Sequence, residues 1–255
     1  MALNLSFSIQ RHLEPGPSRA ARSCRLRILA EAPFIPRWGQ PCSCPTAGPS
    51  FPSGLDVQDG PAALPVNGHV LVMAGVRSPC TSPPSSFFEC DGTDLDLVPG
   101  PPNAVNDASY HGHMVLPDGG HILLTDGTTD VDVYIPAGPA SKSSWAPTVI
   151  SYPGSVTRGD SYTITGTQFN GLSQGAAYGD DVQTATNFPL VRLTNLSDGN
   201  VYYAPAKNFS TMGVATGSEV VSATFVPPIS MESGLFSLEM VANGLASVPV
   251  FVNVI

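Results

Sequence analysis

The stretch ALPVNGHVLVMAG at residues 63 to 75 returns as VLPDGGHILLTDG at residues 115 to 127. Leu64 answers to Leu116, Gly68 to Gly120, Val70 to Ile122 and Gly75 to Gly127, each pair 52 residues apart. Self-similarity at such a period means that one small supersecondary unit is built twice, each copy burying a face against its neighbour. The turn before each apolar run is Pro-Val-Asn-Gly or Pro-Asp-Gly-Gly, where Gly and Asn accept the positive φ of a tight reversal. The runs VLVMAG and ILLT lack polar alternation, so each is expected as a strand buried on both faces. SSFFECDGTDLDLVPGPP supplies the next hairpin of the first copy, with DGT at its tip, and VDVYIPAG plays that part in the second.

A period near 50 residues on short strands is the mark of kelch-type propeller blades, each a four-stranded sheet. Residues 49–145 are therefore expected to form about two blades of a partial wheel. Complete wheels have about four to eight. An unpaired blade edge presents free strand N–H and C=O groups, so self-association through that edge is expected.

A second unit begins at WAPTVISYPGSVTRGDSYTITGTQF, where Pro147 favours an extended entry. DSYTITGTQF, PLVRLTN, NVYYAPA, VVSATFVP, LFSLEMVANG and VPVFVNVI follow, short alternating or apolar runs separated by Gly, Pro and Asn. About seven strands in roughly 110 residues predict an immunoglobulin-like sandwich over residues 146–255. The whole chain is thus expected to be all-β. Its 25 Gly, 26 Pro and 42% apolar residues suit that class.

The blade units followed by a sandwich that opens APTVISYPGSVTRGDSYTITGTQFNG and closes GLFSLEMVANGLASVPVFV resemble the C-terminal part of kelch-type, galactose-oxidase-like proteins. In that family a propeller is followed by an early-set immunoglobulin-like domain; the second unit is also similar to IPT/TIG-type modules. The resemblance covers residues 49 to 255. It implies an extracellular or cell-envelope setting for the parent family, and a carbohydrate or another protein as partner. In the copper radical oxidases of the family a Tyr-His pair just before a Leu-Pro-Asp-Gly turn binds copper. Tyr110-His111 ahead of Leu116-Pro117-Asp118-Gly119 matches, which makes Tyr110 and His111 the copper-ligand candidates.

A copper site of this class needs two imidazoles and two tyrosine oxygens, one tyrosine being joined to a cysteine. The resemblance places the second histidine in the sandwich, after the strand matching PLVRLTN. That segment holds Lys207, Asn208 and Phe209, and no histidine follows His121. The Tyr-Cys pair would belong to earlier blades. The expected function is accordingly a non-catalytic kelch-repeat fragment with a binding or structural role and no cofactor. The alternative is a copper radical oxidase of primary alcohols or sugars with an incomplete site.

On a strand, Tyr110, Gly112 and Met114 would share one face and His111, His113 and Val115 the other, with His121 approaching from the next strand. Asp91, Asp94 and Asp96, and Asp126, Asp130 and Asp132, lack the spacing of a calcium loop and read as turn aspartates bonded to their own backbone. Asp180-Asp181 reads as an acidic loop tip. Phe87, Phe88, Tyr202 and Tyr203 are expected half in the core and half outward. Nucleophile elbow, phosphate loop, dinucleotide fingerprint and zinc-protease motifs do not occur in the sequence.

The net charge of −9 excludes a basic footprint for nucleic acid, and no apolar run reaches the roughly 20 residues of a membrane helix. Charge is unevenly spread. Residues 1 to 50 hold six arginines against two glutamates, a balance of +4 that leaves −13 on the remainder. Residues 1–48 are an irregular leader without either strand or helix period, expected not to be a native domain; such an Arg/Pro/Ala/Ser mixture is what a GC-rich gene gives out of frame. MALNLSFSIQRHLEPG is only a short, interrupted version of an export signal. Cys80 and Cys90 flank TSPPSSFFE, where a disulfide is feasible. Asn195-Leu-Ser and Asn208-Phe-Ser match the glycan acceptor pattern.

Overall fold

A computed structural model describes residues 50–52, 54–57, 60–76, 82–137, 141–173 and 185–255. The leader, Cys80, Asp180 and Asp181 lie outside the described residues. Among the described residues the fold is all-β, with four sheets and three short 3-10 turns and no α-helix. None of its helices is long and apolar enough to cross a membrane.

The first sheet contains β1 (Leu55–Asp56), β2 (Ala62–Ala63), β3 (Val70–Val76), β4 (Ser86–Cys90) and β5 (Leu95–Val98). β1 and β2 both pair antiparallel with β3, at Val76 and Val72 respectively, and β3, β4 and β5 continue as a meander. The second sheet contains β6 (His113–Val115), β7 (Ile122–Thr125) and β8 (Asp132–Tyr134), again antiparallel. The repeat maps onto matching places: β3 starts at Val70 and β7 at Ile122, each after a turn whose last glycine, Gly68 or Gly120, has positive φ. The copies part at their ends, where Gly75 stays inside β3 while Gly127 turns with φ 84°.

β3 is buried along nearly its whole length because both faces are covered. Leu71, Met73 and Phe87 pack on Met114, Leu116, Ile122 and Leu124 of the second sheet. Val57, Leu64, Val70, Val72 and Cys90 lie on the other side with Leu172 and Trp145. A core on each face of this sheet explains why adjacent Phe87 and Phe88 are both buried; of the other two aromatics expected to divide between core and surface, Tyr203 is exposed and Tyr202 half-buried. Burying a side chain of this size stabilises by about 1.5–3 kcal/mol. The edge strands are another matter. Leu97 on β5, and Val131, Val133 and Ile135 on and beside β8, are exposed.

The remaining strands are β9 (Thr148–Ser151), β10 (Ser155–Val156), β11 (Tyr162–Thr167), β12 (Leu190–Asn195), β13 (Val201–Pro205), β14 (Val221–Phe225), β15 (Gly234–Ala242), β16 (Leu245–Ala246) and β17 (Val250–Val254). β14-β11-β9 form the third sheet and β10-β17-β15-β12-β13 the fourth, with β16 folded back on β15. The two sheets share one core. Ile164 of β11 and Phe225 of β14 meet Val191 and Leu193 of β12, Phe236 and Leu238 of β15 and Val252 of β17. LVRLTN alternates strictly, with Val191, Leu193 and Asn195 buried and Leu190, Arg192 and Thr194 less so, the period-2 pattern of a strand with one wet face.

The β15–β16 hairpin closes through Asn243-Gly244 at φ 50° and 70°, the two positive angles of a type I′ turn. That turn lies against the Leu-Pro-Asp-Gly-Gly turn of the second sheet so closely that a Cβ on Gly244 would sit 2.3 Å from Gly120 Cα. Gly120 is constrained on its other side too, a Cβ there falling 2.0 Å from a Val66 methyl. The Leu116 amide donates to Thr186 O at 2.9 Å, in a parallel bridge between Leu116 and Asn187. The two halves of the chain therefore meet at the repeat's own turn.

Candidate functional site

Between β5 and β6 the chain makes two 3-10 turns, Pro102–Asn106 and Ser109–His111. Pro101 and Pro102 start the first, since a fixed φ suits a helical first turn. Tyr110 and His111 belong to the second turn, and β6 begins only at His113. His111 and His113 consequently do not share a strand face as the alternation predicts. The backbone bonds His111 N to Ala108 O and Gly112 N to Ser109 O close the turn locally.

His111 Nδ1 lies 2.8 Å from Oδ1 of the buried Asp107, and its side chain keeps 44% exposure. The second carboxylate oxygen of Asp107 is buried without a hydrogen bond among the described residues. The Tyr110 and His111 rings touch, centroids 4.0 Å apart and tilted by 54°. Asp107 thus orients one imidazole beside one phenol, an arrangement with half the donors that a copper radical site requires. His113 pairs across to Thr125 and His121 is exposed beside β7. Among the described residues no group of three or more His, Cys, Asp and Glu side chains could hold a metal ion.

The segment that the resemblance assigns to the second imidazole is built as a structural turn. Lys207 and Thr224 exchange both backbone hydrogen bonds, at 2.8 and 2.7 Å. Asn208 Nδ2 donates to Thr224 Oγ1 at 3.0 Å, and Phe209 packs against the sandwich core. A set of one imidazole and one phenol, with Lys, Asn and Phe in place of the remaining nitrogen donor, does not fit copper of this class.

A charged network that no sequence motif signals joins the repeat's second turn to the fourth sheet. Asp118, at the tip of the repeat's second turn, accepts through Oδ2 from Arg192 Nη1 and from the Tyr203 hydroxyl at 3.0 Å. Arg192 Nε donates to Glu239 at 2.9 Å. The register of the fourth sheet sets this up, with Arg192 on β12 directly opposite Tyr203 on β13 and Glu239 on β15. Burial alone would lower the Arg192 pKa, but the bonds to Asp118 and Glu239 outweigh it and hold the guanidinium charge more firmly. Burial first, and the bond to Asp118 second, push the Tyr203 hydroxyl up.

A second polar cluster staples the first two sheets. Asn67 Nδ2 donates to Ala137 O at 2.8 Å, and His69 Nδ1 lies 3.4 Å from Glu89 Oε2. Burial and a hydrogen bond to Glu89 push the Tyr134 hydroxyl well above its ordinary range. Of the six aspartates expected in turns, Asp91 and Asp126 bond their own turns, whereas Asp96 lies on β5 and Asp132 on β8. Asp91 Oδ1 accepts from the amides of Thr93 and Asp94 at 2.7 and 2.8 Å. Asp126 accepts from Thr128 N and Oγ1 through one oxygen and from Asn103 Nδ2 at 2.7 Å through the other. Cys90 is a buried free thiol whose pKa is raised chiefly by desolvation; Cys80, with which a disulfide is feasible by spacing, is outside the described residues.

No family model and no curated protein matches the chain. No family assignment follows. Among solved structures, domains 4 and 5 of the S-layer protein SbsC align with 79% of this chain and 96% of that chain, at 14% identity and a TM-score of 0.20. A likeness of that size carries neither fold nor function.

Proposed function

We propose that this chain is a non-catalytic kelch-repeat fragment, two propeller blades followed by an immunoglobulin-like sandwich, with a binding or structural role toward a carbohydrate or another protein outside the cell or in its envelope. The 52-residue repeat, reproduced as two antiparallel sheets packed face to face, supports the blade reading. The sandwich reading is supported by the facing β14-β11-β9 and β10-β17-β15-β12-β13 sheets, with the first segment crossing from one to the other between β9 and β10.

One observation carries the non-catalytic reading. Lys207, Asn208 and Phe209, where the resemblance requires an imidazole, are engaged with Thr224 and the sandwich core. The copper oxidase alternative keeps only Tyr110 and His111, the latter oriented by Asp107. The test is hydrogen peroxide release from galactose and from simple primary alcohols, with equimolar copper supplied and its EPR spectrum recorded. No peroxide and a spectrum of weak surface imidazole binding are expected. Turnover that disappears in Tyr110→Phe and His111→Ala would overturn the proposal in favour of the oxidase.

A further inference from the structure

The chain holds two glycan acceptor patterns, Asn195-Leu196-Ser197 and Asn208-Phe209-Ser210, and the fold treats their asparagines in opposite ways. We propose that Asn208 is an N-glycan attachment site and that Asn195 is not. The proposal rests on the extracellular setting proposed above for its physiological use, while the discrimination between the two sites rests on geometry alone.

Asn195 ends β12 and is 4% exposed. Its Oδ1 accepts from Ser197 N at 2.9 Å and from Ser197 Oγ at 2.8 Å. Its backbone N–H donates to Asn200 O and its carbonyl accepts from Gly199 N, both at 2.9 Å. The turn joining β12 to β13 is therefore wound around this carboxamide. A sugar on Nδ2 would need room at a residue that the folded turn leaves only 4% exposed. A glycan there competes with the closed turn for the same space.

Asn208 is exposed on the loop after β13, at φ 51°, a left-handed conformation that Asn tolerates better than most residues. Phe209 anchors that loop in the sandwich core, and Ser210 is exposed with its Oγ accepting from Ser222 N at 2.9 Å. Among the described residues, the side-chain bond of the Asn208 amide runs to Thr224 Oγ1 at 3.0 Å. In the transfer, Nδ2 forms a bond to the anomeric carbon of an N-acetylhexosamine carried on lipid pyrophosphate. The carbon–oxygen bond to that pyrophosphate breaks, the lipid pyrophosphate leaves, and one amide proton is released. The second amide hydrogen remains, so the bond to Thr224 is kept in the modified protein. Addition to the chain before folding does not erase the distinction, because a glycan at Asn195 competes with closure of the β12–β13 turn.

The experiment expresses the full chain behind an added export signal in a eukaryotic host, which imposes the compartment and separates this proposal from the one about native location. Secreted protein is treated with a glycan-releasing amidase in heavy-oxygen water and its peptides are mapped. Expected are a mass loss of one glycan, label at Asn208, loss of the glycan in Asn208→Gln and its retention in Ser197→Ala, which removes the first acceptor pattern but leaves Asn195 in place. Label at Asn195 in folded, secreted protein, or unmodified Asn208, overturns the proposal. If the chain is retained inside the cell, the same mapping on the membrane-enclosed pool decides, and an unoccupied Asn208 there counts equally against it.

Discussion

Replacing Asp118 tests whether the contact between the two halves of the chain is energetic as well as geometric. Its carboxylate is 17% exposed and the Arg192 side chain 24%, so the pair lies between two limits. Exposed pairs are worth about 0.2–1 kcal/mol, whereas breaking a fully buried one costs about 3–5 kcal/mol. An intermediate of about 2 kcal/mol, together with about 1 kcal/mol for the Tyr203 bond, puts Asp118→Ala at about 3 kcal/mol. At ~2–4 °C per kcal/mol for a chain of this size, Tm should fall by about 6–12 °C. Asp118→Ala, Arg192→Met and the double variant, unfolded in urea, close a cycle whose expected coupling is about 1–2 kcal/mol. Arg192→Met alone should be the more damaging single change, because it strands Glu239 as well as Asp118. A coupling below about 0.5 kcal/mol, the scatter seen for independent sites, would refute the claim that this network joins the halves.

Acid stability should carry the signature of Asp126. The Thr128 hydroxyl first and Asn103 second hold its pKa below the ordinary carboxylate value. A lowered folded pKa stabilises above the unfolded value of about 3.9, and that contribution is lost as pH falls through the folded pKa. The Tm gap between the wild type and Asp126→Asn should be present at neutral pH and close in acid; a gap independent of pH would contradict it. Gly120→Ala combines a φ of +76° with a Cβ 2.0 Å from Val66, and should cost about 2–4 kcal/mol by denaturant titration. An effect under about 1 kcal/mol would mean that this turn shifts freely.

The strands were legible wherever local chemistry decides them. DSYTITGTQF, PLVRLTN, NVYYAPA, VVSATFVP and LFSLEMVANG each contain one strand of the sandwich, because alternation and the flanking Gly, Pro and Asn are local signals. Alternation puts Tyr110 and His111 on a strand, whereas they form a 3-10 turn, since a three-residue stretch is too short for period 2 to be distinguished from period 3. Phe87 and Phe88 are adjacent yet both buried because their sheet has a core on each face, which depends on what packs against it and not on the local pattern. Of the site, the Asp118–Arg192 contact spans 74 residues, and nothing in a single sequence signals a pairing at that distance. The nearest hint was Arg192 itself, a lone charge among the apolar residues of PLVRLTN.

β17 is the last strand of the sandwich to be synthesised, yet it lies inside the fourth sheet, parallel to β10 and antiparallel to β15. Until Val250–Val254 leaves the ribosome, β10 has no partner in that sheet and Phe236 and Leu238 stand beside an open slot. The fourth sheet therefore cannot be completed in chain order, and without Val250–Val254 the slot beside Phe236 and Leu238 is an unfinished edge open to chaperones and proteases.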